Sequence, residues 1–448
     1  MNPNIFREYD IRGESPSELN QETVYKLGHS FGTYYQEHGT KRISLGRDCR
    51  LSSPELHDAL SRGLMDTGMH VIDIGMVPTP LLYFSLFELE VDGGVQVTGS
   101  HNPPSYNGFK ICLGKETIYG QEIQKIRQIV DSEKFLQGRG EMEQREVTGL
   151  YLEKVEAVLK PGTQKRKVVV DAGNGVAGML APQLYEHLGV EVERLYCEPD
   201  GHFPNHHPDP TIPENLVDLK EKVSAISADL GIAFDGDGDR IGVIDHGGKV
   251  IWGDQLMIIF SRDLLERHPG AKIIGEVKCS QVMYDDIEKH GGKPIMWKAG
   301  HSLIKSKMKE EGALLAGEMS GHLFFAERYY GYDDAIYAGA RLLEILTKQQ
   351  KGIRDLLKDV PVLVSTPEIR MDCPDEKKFE VVRALASEFK KEFKVIDVDG
   401  ARVLFDGGWG LVRASNTQPA LVLRFEAVDE ERVEEIRKIF MDKLAEKM

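Results

Sequence analysis

LGIAFDGDGDR, residues 230–240, decides the fold: an apolar run of strand length stops at a loop of alternating aspartate and glycine. Short apolar runs bounded by turn residues read as buried strands. Two other stretches repeat the arrangement, VQVTGSHNP at 95–103 and ALLAGEMSGH at 313–322. Upstream of the three loops, similar openings recur: KRISLGRD at 41–48, KRKVVVDAGNG at 165–175 and AKIIGEVKCS at 271–280. Each is a basic lead-in, a β-branched run and a glycine or polar turn. Helical patterns fall between them, such as PELHDALSRGLMDTG at 54–68 and LAPQLYEHLG at 180–189. Strands alternating with helices indicate α/β units. Ligands collect beyond the carboxyl ends of the strands in such sheets. One unusual loop per segment therefore predicts three similar α/β domains with mixed sheets around a central cleft.

The C-terminal stretch differs. DVDGARVLF at 397–405 and GWGLVRASNTQPALVLRFEA at 408–427 read as strands around the turn Asp406–Gly408. A helix is predicted from about Asp429, with Val433, Ile436, Phe440 and Leu444 on one face. This reads as a smaller α+β domain. The expected domains are 1–147, carrying the serine loop, 148–249, carrying the aspartate loop, 250–360, carrying GEMSGH, and 361–448.

The 448 residues suit about three or four domains. No stretch reaches the roughly 18 apolar residues of a membrane span. MNPNIFREYDIRG places charges where a signal peptide would be apolar, so a soluble, cytoplasmic protein without a membrane partner is expected. The net charge of -16 argues against nucleic acid, whose binding needs excess Lys and Arg. The five cysteines are scattered without CxxC spacing, as free thiols in a reducing compartment would be.

Four motifs carry chemistry. In TGSHNP, continuing to NGFK, Gly99 allows a sharp turn and Pro103 stiffens the exit. Ser100 is presented beside His101, with Lys110 further along. Alone, the stretch fits a polar turn equally well. An esterase elbow is excluded, because Thr98 and Asn102 stand where that motif needs glycine. In DGDGDR, alternating glycines let Asp235, Asp237 and Asp239 converge, and packed carboxylates repel unless a hard divalent cation binds them. An EF-hand is excluded by Arg240 and His246 at the positions of its glycine and glutamate. An aspartyl-nucleophile phosphatase is the better rival, although Asp239 does not suit it. Glu318 and Ser320 in GEMSGH can reach one ligand face, as adjacent sugar hydroxyls require. Arg413, Ser415, Asn416 and Thr417 in RASNT suit a phosphate cradle. A nucleophile loop, a metal loop, a hydroxyl reader and a phosphate cradle are together the parts of phosphoryl transfer on a sugar phosphate.

TGSHNPPSYNGFK, DGDGDR, GEMSGH and RASNTQP, in this order, resemble the α-D-phosphohexomutases, in particular the bacterial phosphomannomutase/phosphoglucomutase branch. FREYDIRG at 6–13 and KAGHSLIK at 298–305 fit as well, so the resemblance spans the chain. It implies a mutase that interconverts hexose 1-phosphate and 6-phosphate of mannose, glucose or both through a hexose 1,6-bisphosphate. It implies Ser100 phosphorylated at rest, and Mg²⁺ held by Asp235, Asp237 and Asp239 with Ser100. Arg240 adds positive charge there. Glu318 and Ser320 resemble the readers of the sugar 3- and 4-hydroxyls. Arg413, Ser415, Asn416 and Thr417 resemble the site of the non-reacting phosphate, on a mobile lid. Tyr9 and Arg12 lie near the serine in such enzymes. His101, Lys110, Lys278, His301 and His322 match proton-handling or sugar-contacting positions, Lys110 being the usual general acid/base candidate. Small hexose phosphates are the implied partners, glucose or mannose 1,6-bisphosphate the implied activator. A monomer or small homo-oligomer is expected.

Overall fold

The computed structural model describes residues 1–415 and 419–447, whose strands form four sheets. Three sheets share one order. In the first, His70–Met76, Arg42–Arg47 and Gly93–Val97 run parallel, and Tyr106–Leu113 returns antiparallel beside Gly93–Val97. In the second, Glu191–Leu195, Lys167–Asp171 and Leu230–Phe234 are parallel, and Ile241–Asp245 returns antiparallel. In the third, Lys293–Trp297, Lys272–Glu276 and Leu315–Gly317 are followed by antiparallel Leu323–Phe325. The three predicted openings are the middle members of these parallel trios. Ser100, the aspartate triad and Glu318 all sit in the loop where the third strand turns into the fourth. The first sheet is widened by Ile11–Glu14 and Met142–Gln144 at its edges.

The strands read as unbroken apolar runs because both faces are covered. In the second sheet, Val169, Ala233 and Ile244 pack with Leu219 and Val223 of helix Val217–Ala225. Val168, Val170 and Ile232 face the other way. They enter a core that runs on through Leu82 and Phe84 of helix Thr79–Glu88 to Tyr337 and Leu343 of helix Ala335–Thr347. The first three units therefore share one continuous core.

The fourth unit has its own core, built from an antiparallel sheet and two helices. Gly408–Ala414 pairs on one side with Ala401–Phe405 and on the other with Ala420–Ala427. Helix Glu430–Ala445 is capped by Asp429, which accepts from Arg432 N at 2.8 Å, and buries the expected Val433, Ile436, Phe440 and Leu444. Helix Asp375–Phe389 covers the same core. Residues 397–400 are not strand as expected. Asp399 instead turns its carboxylate to Ala299 N and Arg413, which holds that stretch against the third unit. The apolar part of the seam between these units is formed by Val277 with Trp409 and Leu411. Arg402 closes it by donating to the carbonyls of Val277 and Cys279, at 2.7 Å each. Among the described residues, no helix is long and apolar enough to cross a membrane.

Candidate active site

The serine loop of the first unit and the aspartate loop of the second meet face to face. Ser100 Oγ–H donates to Asp235 Oδ2 at 2.8 Å, and His101 Nδ1 lies 3.0 Å from Ser100 Oγ. Ser100 has φ of 48°, in the left-handed region that non-glycine residues seldom adopt. The alternating glycines do more than let carboxylates converge. A Cβ on Gly236 would stand 2.5 Å from the carbonyl oxygen of Ser100, so glycine is what lets the two loops touch.

Asp235, Asp237 and Asp239 are fully buried. Asp235 Oδ1 accepts the backbone N–H groups of Gly238, Asp239 and Arg240 at 3.0–3.1 Å, which shapes the loop. Burial and the two neighbouring aspartates push the Asp235 carboxyl far above the usual range. Asp237 Oδ2 accepts from Thr79 Oγ1 at 2.5 Å and from Lys110 Nζ at 2.7 Å. Burial would raise Asp237, but the Lys110 ammonium outweighs it and holds the carboxyl low. Lys110 Nζ also donates to Asp239 Oδ2. Burial would lower the lysine, yet Asp237, Asp239 and Asp235 keep it above its ordinary value. It is an ammonium shared by two carboxylates.

The donor set fits a hard cation. The three aspartates offer oxygen atoms within 4.8 Å of one another. Asp237 Oδ1 and Asp239 Oδ1 are buried with no hydrogen-bond partner, a costly state that a divalent ion relieves.

The third unit adds the remaining wall. Arg240 Nε donates to His322 Nε2 at 3.0 Å, so the proton of the neutral ring lies on Nδ1, which faces Asp333 Oδ2 at 3.0 Å. Burial would lower Arg240, but Asp209, Asp235, Asp239 and Glu318 raise it. His301 stacks on His322 with centroids 5.6 Å apart, and burial and Lys305 hold it neutral, well below the usual histidine range. His101 is lowered likewise by burial and Arg240. Glu318 Oε1 accepts Gly300 N at 2.6 Å, and Ser320 lies half-buried two residues on. Tyr9 OH donates to the Ala299 carbonyl at 3.1 Å, and Arg12 reaches Asn102 Oδ1 at 3.1 Å. Lys278 lies 3.8 Å from Glu276 and 3.4 Å from Glu368.

Arg413 comes from the fourth unit and pairs with Asp399, Nη2 to Oδ2 at 2.9 Å. Ser415, two residues on, is buried, while Asn416 and Thr417 lie outside the described residues. The expected groups thus come from all four units.

Several residues of the site escaped the sequence reading. Asp333 is fully buried, accepts from Lys305 Nζ at 3.0 Å and faces both imidazoles. Burial would raise it, but Lys305, His322 and His301 hold it well below the usual range. Its only signal was an acid pair, Asp333-Asp334, in an aromatic stretch. Thr79, Asp399, Asp48 and Arg50 were missed too, although Asp48 closes the first opening segment and Arg50 follows two residues on.

The comparisons with known proteins follow this geometry unit by unit. Four family models match in order: phosphoglucomutase/phosphomannomutase alpha/beta/alpha domain I at residues 3–137, domain II at 150–248, domain III at 252–363, and the C-terminal domain at 368–443. A phosphomannomutase/phosphoglucomutase of Pseudomonas aeruginosa is 50% identical over 444 residues, covering 98% of this chain and 95% of that protein. A phosphoglucomutase of Neisseria gonorrhoeae is 46% identical, covering 97% and 95%. The crystal structure of a phosphoglucomutase/phosphomannomutase family protein from Burkholderia thailandensis superposes with a TM-score of 0.93 at 44% identity, covering 98% and 97%. With every unit matched in order along the chain, the chain belongs to the phosphoglucomutase/phosphomannomutase family.

Proposed function

We propose that the protein interconverts hexose 1-phosphate and hexose 6-phosphate, of glucose and of mannose, with Ser100 as phosphoryl carrier and a hexose 1,6-bisphosphate as intermediate. The observation that carries this reading is the contact of Ser100 Oγ with Asp235 inside the buried acidic triad. The names of the relatives at 50% and 46% identity support it, and the first of them is named for both sugars. Units bounded near 147, 249 and 360 would each supply one loop to the cleft. We place the enzyme in the cytoplasm as a monomer or small homo-oligomer, acting on small hexose phosphates and not on nucleic acid or membranes.

Asp235, Asp237 and Asp239 would hold Mg²⁺ with the oxygen on Ser100. Bound there, the ion supplies charge neutralisation and polarisation of the phosphoryl group. The residues of the chain do the rest. The sugar's free 1- or 6-hydroxyl attacks phosphoserine. Lys110, held as an ammonium, donates charge and hydrogen bonds and offers no lone pair as a base. The proton of the attacking hydroxyl is left to the neutral ring of His101 at the cleft wall, since both ring nitrogens of His322 are engaged by Arg240 and Asp333. Arg240 and Arg12 bring positive charge beside the transferred group. Tyr9, Lys278 and His301 line the sugar's path. The bisphosphate then turns end for end, and the serine takes the other phosphate.

Glu318 and Ser320 read the 3- and 4-hydroxyls in both orientations and are blind to the 2-position, where glucose and mannose differ. Glu318→Gln is therefore expected to weaken use of both sugar phosphates by roughly 1.5–3 kcal/mol, the worth of a charge-assisted hydrogen bond. Steady-state kcat/KM with each sugar checks this, and a loss confined to one epimer would show that Glu318 reads the 2-position.

Arg413, Ser415, Asn416 and Thr417 hold whichever phosphate is not reacting. Arg413→Ala should weaken binding of 1-phosphate and 6-phosphate to a similar degree, by about tenfold or more, as removal of a charged hydrogen-bond partner does. Calorimetric titration of unreactive Ser100→Ala protein with each phosphate measures it directly. A loss for one phosphate alone would split the shared cradle into two sites. The whole reading is tested by a coupled assay with glucose 1-phosphate and mannose 1-phosphate, each with and without glucose 1,6-bisphosphate. Release of inorganic phosphate in place of the 6-phosphate would favour a phosphatase.

A further inference from the structure

Below the serine loop lies a buried guanidinium that the mechanism does not use. The Arg50 side chain has no exposed surface. Its Nη1 donates to the carbonyls of Pro103 at 2.6 Å and Tyr106 at 2.9 Å, and its Nη2 to those of Ser100 at 2.8 Å and Asn102 at 2.6 Å. Its Nε lies 3.3 Å from Asp48 Oδ2. Asp48 grips the other side of the loop, taking Gly99 N at 3.1 Å and Thr98 Oγ1 at 2.9 Å on the same oxygen. Its Oδ1 accepts Arg50 N at 3.0 Å, which ties the two residues together.

We infer that Arg50, clasped to Asp48, is the positioning residue of the phosphoryl carrier: residues 99–106 wind around its guanidinium, and this winding holds Ser100 Oγ in line for transfer. The inference rests on Ser100 being the carrier. Three observations support it. First, four carbonyls of one loop converge on a single cation. Drawing carbonyls inward turns the loop's other groups outward, and the Ser100 side chain emerges toward Asp235. Second, Ser100 keeps φ of 48°, and a strained non-glycine backbone persists only where the surroundings over-determine it. Here its carbonyl is held by Arg50, its N–H by Thr98 Oγ1 at 2.9 Å, and Thr98 by Asp48. Third, the fit leaves no slack. A Cβ on Gly99 would stand 2.3 Å from Arg50 Nε and 2.4 Å from Cζ.

A loop that needed only to be folded could be held by apolar packing, which costs less than burying a cation. What the guanidinium adds is direction, since its planar fork fixes several acceptors at once. Arg50 contacts the loop's carbonyls and not Ser100 Oγ, so it acts through the backbone. The second unit presses on the clasp from outside: the Arg50 guanidinium lies 5.4 Å from the centre of the Phe203 ring.

The test separates positioning from plain bracing. Wild type, Arg50→Lys and Gly99→Ala are phosphorylated with glucose 1,6-bisphosphate, and occupancy is read by intact mass. Single-turnover transfer to glucose 6-phosphate is then followed by rapid quench. In that step the serine O–P bond breaks, a bond forms from phosphorus to the sugar 1-oxygen, and the hydroxyl proton ends on the serine oxygen. Binding of glucose 6-phosphate to the dephosphorylated proteins is measured by calorimetry. For Arg50→Lys, transfer per phosphorylated molecule is expected to fall about 100-fold, as a displacement near 1 Å does, with the binding constant within about threefold of wild type. Gly99→Ala, which keeps the charge but pushes the guanidinium aside, should show the same split, and it carries the test if Arg50→Lys does not fold. Transfer within about threefold of wild type, or transfer and binding lost in parallel, overturns the proposal. Failure of both variants to fold also overturns it, since the clasp would then serve stability alone. A wild type that carries no phosphoserine sinks the carrier reading itself, and is thereby told apart from a failure of the clasp.

Discussion

Ser100→Ala protein is expected to lose mutase activity in both directions by at least about 10⁴-fold, the scale on which removal of a covalent nucleophile acts. The geometry leaves no understudy. The nearby hydroxyls of Thr98 and Thr79 are turned into Asp48 and Asp237 and are buried. The imidazole of His101 has its Nδ1 against Ser100 Oγ and is kept neutral by its surroundings. Neither replacement of the hydroxyl by hydrogen nor the loss of one hydrogen bond to Asp235 disturbs the wall proposed to read the sugar, which belongs to another unit. The variant should therefore still bind hexose phosphates with affinities near wild type while accepting no phosphate from glucose 1,6-bisphosphate, as intact mass would show. The phosphatase reading makes the opposite claim. It requires Asp235 as nucleophile, so Ser100→Ala would keep turning over and phosphate would map to Asp235. The structure disfavours that claim on geometry, because Asp235 Oδ1 is occupied by three backbone N–H groups and its Oδ2 by the serine.

The sheets were legible because their strands are covered on both faces, so that Val168–Val170 and Leu230–Phe234 read as unbroken apolar runs ending at a loop. The loops were legible because their chemistry is local: Ser100 with His101, and three aspartates within five residues. What stayed hidden is held together across the chain. Asp48 and Arg50 grip residues about fifty positions away, and Lys305, His322 and Asp333 meet through the turn of a third sheet. No spacing rule links such partners. The early elements of the fourth unit were unread for a different reason. Ile369–Asp372 alternates half-buried and exposed residues as an edge strand, and helix Asp375–Phe389 starts with the charged run Asp375–Lys378 that hides its apolar stripe of Val381, Val382, Leu385 and Phe389. The phosphate cradle was read from RASNT, but only Arg413 and Ser415 of it fall within the described residues.

Asp237→Asn should lower kcat by about 10³-fold, near 4 kcal/mol of barrier, while moving KM for glucose 1-phosphate by no more than about threefold. The reason lies in where charge accumulates. A phosphoserine brings about -1.5 to -2 charge to neutral solution, and Asp235, Asp237 and Asp239 already crowd one buried pocket. Lys110 offsets part of this and Arg240 another part, yet Asp237 Oδ1 and Asp239 Oδ1 remain without partners. That residue of uncompensated acceptors is what a divalent ion answers, so its ligands matter most when the phosphoryl group is in transit. On the proposed function the sugar is gripped elsewhere, by Glu318 in the third unit and Arg413 in the fourth, so ground-state binding should barely register the change. Removing the ion should mimic the substitution: excess chelator is expected to abolish turnover, and Mg²⁺ to restore it in wild type but not in Asp237→Asn. Lys110 complicates the reading, because the variant loosens one of its two carboxylate partners. Lys110→Met resolves this. If the aspartate acts through the lysine alone, the two single variants and the double variant should show the same loss, and added Mg²⁺ should affect all three alike. If it acts as a metal ligand, Lys110→Met should keep its Mg²⁺ response while Asp237→Asn loses it, because only the latter gives up an oxygen that the ion needs.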